Sequence, residues 1–229
     1  MKRFPNIELT DKELDLIIED GVFDYGGEAI VCRNNNPHSL YKIFTEPGSL
    51  TPDVMSDNKY KKILHIYQNP LQDTIYPLAT ISNRGSIIGY EVTFDEDDEA
   101  LFNAILQESE KEYYLHKTAI ILRYYATQNI TYGDVKSDNI LINKKTKKAK
   151  FCDIDNMKIG DYPIDVMGHG LTEYFEKRKI IDENADAFMH NLLFLEQLKY
   201  NEMAYNRILA NIAKNPVMPE FCADIMRVI

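Results

Sequence analysis

The sequence has few of the features that would tie it to a disulfide framework or to a metal centre built on sulfur and imidazole. Its three cysteines, Cys32, Cys152 and Cys222, are scattered along the chain and include no C-x-x-C pair. They predict neither a disulfide framework nor a cysteine-ligated zinc site, and a reducing compartment suits them better. The five histidines show no H-E-x-x-H or related spacing, so each is interpreted as an ordinary surface or core residue.

Long apolar runs are absent as well. Stretches such as Ala119–Leu122 fall far short of the roughly 20 residues that cross a bilayer. The first five residues, MKRFP, are followed by no apolar segment of the kind found in a signal peptide. We therefore expect a cytoplasmic protein without a membrane segment.

Positive charge is in short supply. The 229 residues include 26 Lys and Arg against 36 Asp and Glu, which leaves a formal net charge of −10. An acidic surface repels a phosphate backbone, so general nucleic-acid binding is disfavoured. With 45% hydrophobic and 27% charged residues, the composition is that of a globular protein, and the length suits one large domain or two small lobes.

The N-terminal part of the chain reads mostly as strands, in which short apolar runs alternate with turn-forming Gly, Asn, Asp and Pro. One segment, Pro52–Gln68, predicts a helix because Tyr60, Ile63, Leu64 and Tyr67 recur at steps of three and four residues. The predicted strands are Leu14–Ile18, Ala29–Cys32, Leu40–Phe44, Tyr76–Ile81 and Ile87–Phe94.

The character of the sequence changes after Phe94. The acidic run 95–99 is interpreted as a solvated link or a helix N-terminus. A long helix is predicted over Glu108–Thr127, with one apolar stripe that indicates core packing. Two strands, Ile140–Ile142 and Ala149–Cys152, enclose a Lys-rich turn, and helices are predicted from Asn184 onward. The chain thus reads as a β-rich part followed by an α-rich part.

The most informative stretch is 131–142, in which Asp134, Lys136 and Asn139 form D-x-K-x-x-N immediately before a predicted strand. Asp153 follows Asn139 by fourteen residues and comes just after a second strand. A strand hairpin of this size would bring Asp153 back beside Asn139. Mg²⁺ prefers few protein oxygens together with phosphate oxygens, so this pair is suited to holding a metal–nucleotide complex.

These motifs resemble those of the protein kinase-like superfamily, whose catalytic loop reads H-R-D-x-K-x-x-N and whose metal loop reads D-F-G. The chain has Tyr132-Gly133-Asp134 and Asp153-Ile154-Asp155 at the matching places. The resemblance implies an α+β, bilobal protein kinase-like fold. Its N-lobe, 1–94, would be a small antiparallel β-sheet with one helix, and its C-lobe, 95–229, would be mainly α and truncated.

The N-terminal part carries a second, looser resemblance. The segment 24–31 resembles the glycine-rich loop G-x-G-x-x-G-x-V: it keeps the central glycine, Gly26, followed by Gly27, and the valine, Val31, but has Asp24 and Ala29 where the family has glycines. The strand 40–43 resembles V-A-I-K, with Lys42 eleven residues after Val31. The resemblance therefore makes Lys42 the contact of the α and β phosphates of ATP.

The resemblance also assigns the remaining nucleotide contacts. The interlobe hinge would lie near Glu91 to Phe94, with Glu91 and Thr93 offering backbone groups to adenine. Leu141 would lie under the purine and Val31 above it. ATP and Mg²⁺ are accordingly the expected nucleotide and metal, and a protein substrate is the expected partner.

Catalytic roles follow from the same comparison. Asp134 would orient the acceptor hydroxyl and accept its proton, while Lys136 neutralises charge on the moving phosphoryl group. Asn139 and Asp153 would hold Mg²⁺. Asp186 resembles the Asp that leads a helix and braces the backbone of the catalytic loop.

Three departures from the family pattern bear on activity. No Glu lies between Glu46 and Glu91, so the helix residue that normally pairs with the nucleotide lysine is missing; its place falls on Tyr60, and Asp57 is a substitute one turn earlier. Gly133 replaces the arginine that binds an activation-loop phosphate, so no phosphorylation-switched ordering is expected. Asp155 stands where glycine is usual, as a supporting polar group or a turn residue.

Three functions are open at this point. The first is an ATP- and Mg²⁺-dependent protein kinase acting on Ser or Thr, which Lys136 favours. The second is a pseudokinase that acts as a nucleotide-binding or protein-interaction scaffold, and the third is a kinase of small molecules such as aminoglycosides or choline. The Lys-rich turn 144–148 is interpreted as a solvated hairpin tip, with attraction of an acidic substrate as the alternative.

Overall fold

The chain folds as an α+β protein, as predicted. The structure is a computed structural model that describes residues 3–182 and 184–197, together with positions 203, 206 and 210. The described residues form eleven strands and five α-helices. The chain divides into two compact units, unit 1 (Met1–Glu96) and unit 2 (Asp97–Ile229), while the predicted boundary lies at residue 94.

Unit 1 is built on a six-stranded sheet with the strand order β1-β5-β6-β4-β3-β2. Most neighbours are antiparallel, but β1 runs parallel to β5, so the sheet is mixed and the prediction of a purely antiparallel sheet is wrong. Both β1 and β2 have only four residues, and few of these are buried, which leaves too little alternation to predict them. The strands are β1 (Asn6–Leu9), β2 (Val22–Tyr25), β3 (Ala29–Arg33), β4 (Ser39–Phe44), β5 (Pro77–Asn83) and β6 (Ser86–Thr93).

The predicted strand at Leu14–Ile18 is wrong, because this segment lies within a helix, α1 (Asp11–Asp20). Thr10 and Glu13 form a reciprocal cap: the Thr10 hydroxyl accepts from the Glu13 backbone N–H, and the Glu13 carboxylate accepts from the Thr10 backbone N–H. Leu14 is buried in the core of unit 1 together with residues of β1, β3, β4, β5 and β6. The capping pattern T-x-x-E was the signal that could have predicted this helix.

The second helix of unit 1, α2 (Asp57–Gln68), begins five residues later than predicted, at the cap formed by the Ser56 side chain. Of the four residues predicted to share one face of this helix, only Ile63 is buried. Lys59, Lys62, Ile63 and Ile66 are buried, whereas Tyr60, Leu64 and Tyr67 are only partly covered. Unit 1 therefore contains two helices instead of the one predicted.

Unit 2 combines two small sheets with three described helices. A three-stranded sheet has the order β10-β9-β7, and a two-stranded one pairs β11 with β8. The strands are β7 (Asp98–Ala100), β8 (Ile130–Thr131), β9 (Ile140–Asn143), β10 (Lys148–Phe151) and β11 (Lys158–Ile159). The helices are α3 (Glu108–Thr127), α4 (His169–Arg178) and α5 (Asn184–Gln197).

Helix α3 has the predicted bounds, and its apolar stripe is confirmed as core. The hairpin of β9 and β10 is confirmed as well, with each strand shifted by no more than one residue at either end. Helix α4 was not predicted. The buried side chains of the α3 stripe are Tyr114, Leu115, Thr118, Ile121, Leu122 and Tyr125.

The acidic run is not a helix N-terminus: residues 95–97 form a link, as the first interpretation predicts, while Asp98 and Glu99 lie in β7. This strand pairs antiparallel with β9, which places its carboxylates beside the Lys-rich hairpin. Lys144 and Lys145 of the hairpin tip therefore pair with acidic surface residues, while Lys150 of β10 pairs with the buried side chain of Asp98. The ion pairs are Lys144–Glu99 (2.8 Å), Lys145–Asp97 (2.7 Å) and Lys150–Asp98.

Several predictions concern the C-terminal part of the chain and the membrane. Helix α5 begins at Asn184 as predicted, while most of 198–229, including Cys222, lies outside the described residues. Cys32 and Cys152 are free cysteines. Among the helices that the structure describes, none combines the length and the hydropathy needed to cross a membrane.

Candidate active site

The D-x-K-x-x-N loop gathers its polar side chains around one carboxylate. Asp134 Oδ2 lies 2.8 Å from Lys136 Nζ and accepts a hydrogen bond of 2.7 Å from Asn139 Nδ2. Asn139 Nδ2 also donates to the backbone oxygen of Asp134 at 3.1 Å. The loop therefore holds a cation, an amide and a carboxylate in direct contact, with the Asp134 side chain 18% and the Lys136 side chain 49% exposed.

The second carboxyl oxygen of Asp134 faces a backbone without a side chain. A Cβ placed on Gly168, the residue that caps α4, would lie only 2.9 Å from Asp134 Oδ1. Because Gly168 carries only hydrogen there, space remains beside Oδ1. One oxygen of Asp134 is thus held by Lys136 and Asn139, and the other borders a glycine.

The charge of Lys136 is secured by the same contact. Burial lowers the pKa of the Lys136 ammonium, but the hydrogen bond to Asp134 and the charges of Asp134, Asp153 and Asp138 raise it by more, so that the net shift is upward. Lys136 is therefore a permanent cation at neutral pH.

The β9–β10 hairpin brings the second predicted motif beside the first. Ile140 pairs with Phe151 at the open end of the hairpin, and one residue further the Cys152 N–H donates to the Asn139 backbone oxygen at 3.0 Å. Asp153, the next residue, therefore follows directly on the contact with Asn139, as the hairpin length predicts. Its φ of 55° and ψ of 49° lie in the left-handed region, a conformation often found at functional sites.

Asn139 and Asp153 fit the donor chemistry of a magnesium ion. Both offer oxygen ligands, and Mg²⁺ takes one or two protein oxygens when phosphate and water supply the rest. Larger sets are missing: within the part of the chain that the structure describes, no group of three or more His, Cys, Asp or Glu is placed to hold a metal. The two-residue set is thus suited to a metal that arrives with a phosphate ligand.

A buried carboxylate braces the loop from behind. Asp186 accepts hydrogen bonds from the backbone N–H groups of Tyr132 (2.6 Å) and Gly133 (2.8 Å), which confirms the bracing role that the resemblance implies. Asp186 is only 2% exposed. Burial raises the pKa of its carboxyl to about 7, although the two backbone hydrogen bonds act in the opposite direction.

A tyrosine joins the two loops of the site. The Tyr132 hydroxyl donates to the backbone oxygen of Cys152, one residue before Asp153, and its ring lies 4.4 Å from the ring of Phe151. Burial raises the pKa of Tyr132 well above its ordinary value. This contact was not predicted, because the sequence pattern shows only that Tyr132 stands where the resembling family has a histidine.

The Asn156 side chain holds the segment that follows Asp153. Its Oδ1 accepts from the backbone N–H groups of Asp165 (3.1 Å) and Val166 (2.9 Å), and its Nδ2 donates to the Val166 oxygen at 2.7 Å. Gly168, beside Asp134, lies two residues further along. These three hydrogen bonds therefore fix the backbone that leads to Gly168, beside Asp134 Oδ1. No sequence pattern predicted them. Asp155, next to Asn156, is 1% exposed and so is a buried polar group.

In unit 1, the predicted nucleotide lysine lies on a well-defined face of the sheet. Lys42 pairs across the strands with Val31 on one side and Tyr90 on the other, so their side chains share a face. The Lys42 ammonium lies 5.7 Å from the centre of the Phe44 ring and 5.9 Å from that of Tyr90.

The predicted glycine-rich loop is the turn between β2 and β3. The Gly26 N–H donates to the Ala29 oxygen at 2.8 Å, and a Cβ on Gly27 would meet nothing within 4 Å. Both glycines are exposed. The loop is therefore a short, open hairpin turn, in which the first glycine lies close to backbone and the second borders open space.

The remaining predicted contacts are placed as follows. Glu91 lies within β6, where its carboxylate accepts from the Ser39 hydroxyl at 2.6 Å. The backbone N–H groups of Thr93 and Phe94 already donate within unit 1, to Tyr76 and His38 respectively, so an adenine at this segment would use other backbone groups. In unit 2, Leu141 lies half-buried in β9.

A scan against models of known protein families matches none of them to this chain, and a search of curated proteins finds no relative.

Proposed function

We propose that the protein is a protein kinase-like phosphotransferase with the bilobal fold of that superfamily, which uses ATP and Mg²⁺ to phosphorylate a Ser or Thr hydroxyl of a protein. The observation that carries the proposal is the arrangement of Asp134, Lys136 and Asn139 around one carboxylate, with Asp153 next to the Cys152–Asn139 hydrogen bond. Asp134, Lys136 and Asn139 thus lie on one loop, and the β9–β10 hairpin brings the backbone before Asp153 into contact with that loop.

The chain's own residues account for the steps of transfer. Asp134 orients the acceptor hydroxyl and takes its proton, while the acceptor oxygen bonds to the γ-phosphorus and the bond from that phosphorus to the β–γ bridging oxygen breaks. Lys136, a permanent cation beside Asp134, offsets negative charge on the transferred group. Asn139 and Asp153 would hold Mg²⁺, which supplies charge neutralisation at the phosphates.

In unit 1, Lys42 is assigned to the α and β phosphates, with Gly26 and Gly27 as the covering loop. Val31 shares the sheet face of Lys42 and is assigned to one face of the purine, with Leu141 assigned to the other. Glu91 and Thr93 mark the segment assigned to adenine. These roles come from the resemblance, and the shared face of Val31 and Lys42 supports them.

The test is transfer of radiolabelled γ-phosphate in the presence of Mg²⁺, to the protein itself and to a generic protein acceptor. We expect transfer by the wild type, and a loss of about 10²-fold or more with Asp134→Asn and with Asp153→Asn. Asp138→Asn is the matched control, since Asp138 is an exposed carboxylate of the same loop. Equal rates for Asp134→Asn and Asp138→Asn would contradict the assignment of the base.

A nucleotide-binding pseudokinase is the second candidate, and one observation favours it. The sequence of helix α2 contains no Glu, and Lys59 and Lys62 lie on its buried face, so the helix glutamate of the resembling family is absent. Stabilisation by nucleotide without transfer would establish this candidate. Transfer to aminoglycosides or choline alone would indicate a small-molecule kinase, and the absence of both binding and transfer would reject all three.

A further inference from the structure

The glycine-rich loop of unit 1 is tied to helix α2 by an ion pair. Glu28, which directly follows Gly26 and Gly27, lies with Oε2 2.5 Å from Lys59 Nζ. The Lys59 side chain is only 9% exposed, whereas that of Glu28 is 52% exposed. The loop thus supplies a half-exposed carboxylate to a cation that the helix holds almost entirely out of solvent.

Burial makes this contact more than a surface salt bridge. An ammonium removed from water is costly unless an anion or an aromatic face compensates it. Lys59 has both, because its Nζ also lies 4.6 Å from the centre of the Phe44 ring. Loss of the Glu28 charge would remove one of these two stabilising contacts. Water replaces it poorly, because the Lys59 side chain is almost entirely buried. The ion pair therefore holds the loop to helix α2.

The same ring locates the ion pair relative to the proposed phosphate lysine. Lys42 Nζ lies 5.7 Å from the centre of the Phe44 ring, on the same strand, β4. The backbone of Glu28 is fixed there as well, because its oxygen accepts from the Thr45 N–H at 3.0 Å. The loop, α2 and Lys42 therefore converge on Phe44.

We propose that the Glu28–Lys59 ion pair positions the Gly26-Gly27 loop over the sheet face of Lys42, and that it thereby prepares the loop to receive the phosphates of a nucleotide. Glu28 and Lys59 are positioning residues. In the family that the chain resembles, the helix contributes a glutamate that pairs with the nucleotide lysine. Here the helix contributes the cation, Lys59, and the loop contributes the anion, Glu28. The role toward the nucleotide rests on the proposed function, while the positioning of the loop does not.

The first measurement is therefore independent of nucleotide. Amide hydrogen exchange at Gly26 reports opening of the loop, because the Gly26 N–H donates to the Ala29 oxygen in the closed turn. We expect Glu28→Gln and Lys59→Met each to accelerate this exchange about tenfold, and the exchanged pair Glu28→Lys with Lys59→Glu to recover part of the loss.

Matched controls remove the same charges elsewhere in unit 1. Lys61→Met changes an exposed lysine of the same helix, and Glu46→Gln changes an exposed glutamate of the loop after β4. Both should leave exchange at Gly26 unchanged. If Lys59→Met does not fold, Glu28→Gln carries the test, since its side chain is half-exposed.

The second measurement compares the binding of fluorescent Mg·ATP with that of fluorescent adenosine. We expect the single variants at Glu28 and Lys59 to raise the Kd for Mg·ATP about tenfold and to leave that for adenosine unchanged, with partial recovery in the exchanged pair. A merely structural role would weaken both ligands alike and would overturn the nucleotide role of the pair.

The outcomes separate this inference from the proposed function. Unchanged exchange at Gly26 in both single variants would overturn the positioning role, whatever the protein binds. Accelerated exchange in a protein whose wild type binds no Mg·ATP would uphold the positioning of the loop, but it would overturn its role toward phosphates together with the proposed function.

Discussion

At the scale of the single residue, Gly133 is the point at which the Asp134 loop accepts no side chain. Its φ is +82°, in the left-handed region, and a Cβ placed there would lie 2.4 Å from Ile164 Cδ1. Glycine at position 133 therefore suits the left-handed backbone, and the end of the Ile164 side chain would have to move to admit a Cβ. A larger residue would strain the loop and displace Ile164.

The first prediction compares two glycines of unit 2. Gly133→Ala should lower the free energy of unfolding by about 2–4 kcal/mol, from left-handed strain plus overpacking. Gly160→Ala is the control, because Gly160 also has a positive φ (+54°) but a Cβ there would meet nothing within 4 Å. It should cost only about 1 kcal/mol. Equal costs in denaturant unfolding would contradict the role of Ile164.

Two buried titratable residues of α5 respond to pH in opposite directions. Burial raises the pKa of the Asp186 carboxyl from 3.8 to about 7, and burial lowers the pKa of the His190 imidazole from 6.5 to about 4. His190 Nε2 lies 3.0 Å from the Thr118 hydroxyl and 2.9 Å from the Leu115 oxygen. Both residues are kept neutral by the interior over part of the pH range.

The second prediction follows from the sign of each shift. Between about pH 4 and 7 the folded state retains the Asp186 proton that the unfolded state has lost, so the contribution of Asp186 to stability falls as pH rises. Between about pH 6.5 and 4 the unfolded state binds a proton at His190 that the folded state refuses, so the contribution of His190 falls as pH decreases.

Urea unfolding across this range checks both signs. The stability of the wild type minus that of Asp186→Asn should decrease from about pH 4 to 7, and the difference from His190→Gln should increase from about pH 4 to 6.5. In the wild type the two slopes oppose each other and flatten the profile below pH 6.5. Parallel profiles for wild type and both variants would show that neither residue titrates as described.

At the scale of the element, the hydrogen bonds of the Asn156 side chain shape the segment that follows Asp153. The third prediction is that Asn156→Ala, which removes three hydrogen bonds to Asp165 and Val166, destabilises the protein by about 1–3 kcal/mol. It should also accelerate proteolysis between residues 160 and 168. Asn156→Asp keeps the acceptor oxygen but loses the donor, so its effect should be intermediate.

The matched control for this prediction is Asn103→Ala, because Asn103 is an exposed asparagine of the same unit. It should leave the proteolysis pattern and the stability unchanged. If Asn156→Ala is cleaved no faster than Asn103→Ala, the segment is held by other contacts. The expectation that this segment needs no phosphorylation to be ordered would then lack its structural basis.

Elements were predictable from sequence where the periodicity was long or the packing local. Helix α3 repeats its apolar stripe over 20 residues, and the β9–β10 hairpin brackets a clear turn. The prediction of a strand at Leu14–Ile18 was wrong because an apolar run this short fits both the helical and the strand period. The cap formed by Thr10 and Glu13 distinguishes the two. Helix α4 begins at Gly168 without a side-chain cap, and β1 pairs with a strand some seventy residues away, which local patterns do not encode.

In the candidate site too, a feature that depends on one hairpin was predictable from the sequence, whereas contacts between distant side chains were not. The return of the hairpin to Asn139 just before Asp153 follows from the length of one hairpin and was predicted, whereas the hydrogen bond of Asn139 to Asp134 was not. The partnership of Lys59 with Glu28 joins residues that are far apart in sequence, and no periodicity reports which helix lysine is buried. Such long-range side-chain pairs depend on the packing of whole elements, which the motif alone does not specify.

At the scale of the whole molecule, a ligand that binds only the folded protein stabilises it by mass action. The fourth prediction is that Mg·ATP at about one hundred times its Kd raises the free energy of unfolding by about 2.7 kcal/mol. Lys42→Met should remove most of this effect, and chelation of Mg²⁺ should reduce it. Lys12→Met is the control, since Lys12 is exposed on α1; equal stabilisation of both variants would contradict the assignment of Lys42.

The bond between Tyr132 and Cys152 has a consequence for proton gating. Histidine has an ordinary pKa near 6.5, so a histidine at this place would bring a titratable group to the joint between the two loops. The phenol of Tyr132, whose pKa lies well above its ordinary value, keeps its proton throughout the physiological range. Through this joint, the Asp134 loop and the Asp153 loop remain coupled in acidic and in neutral compartments alike.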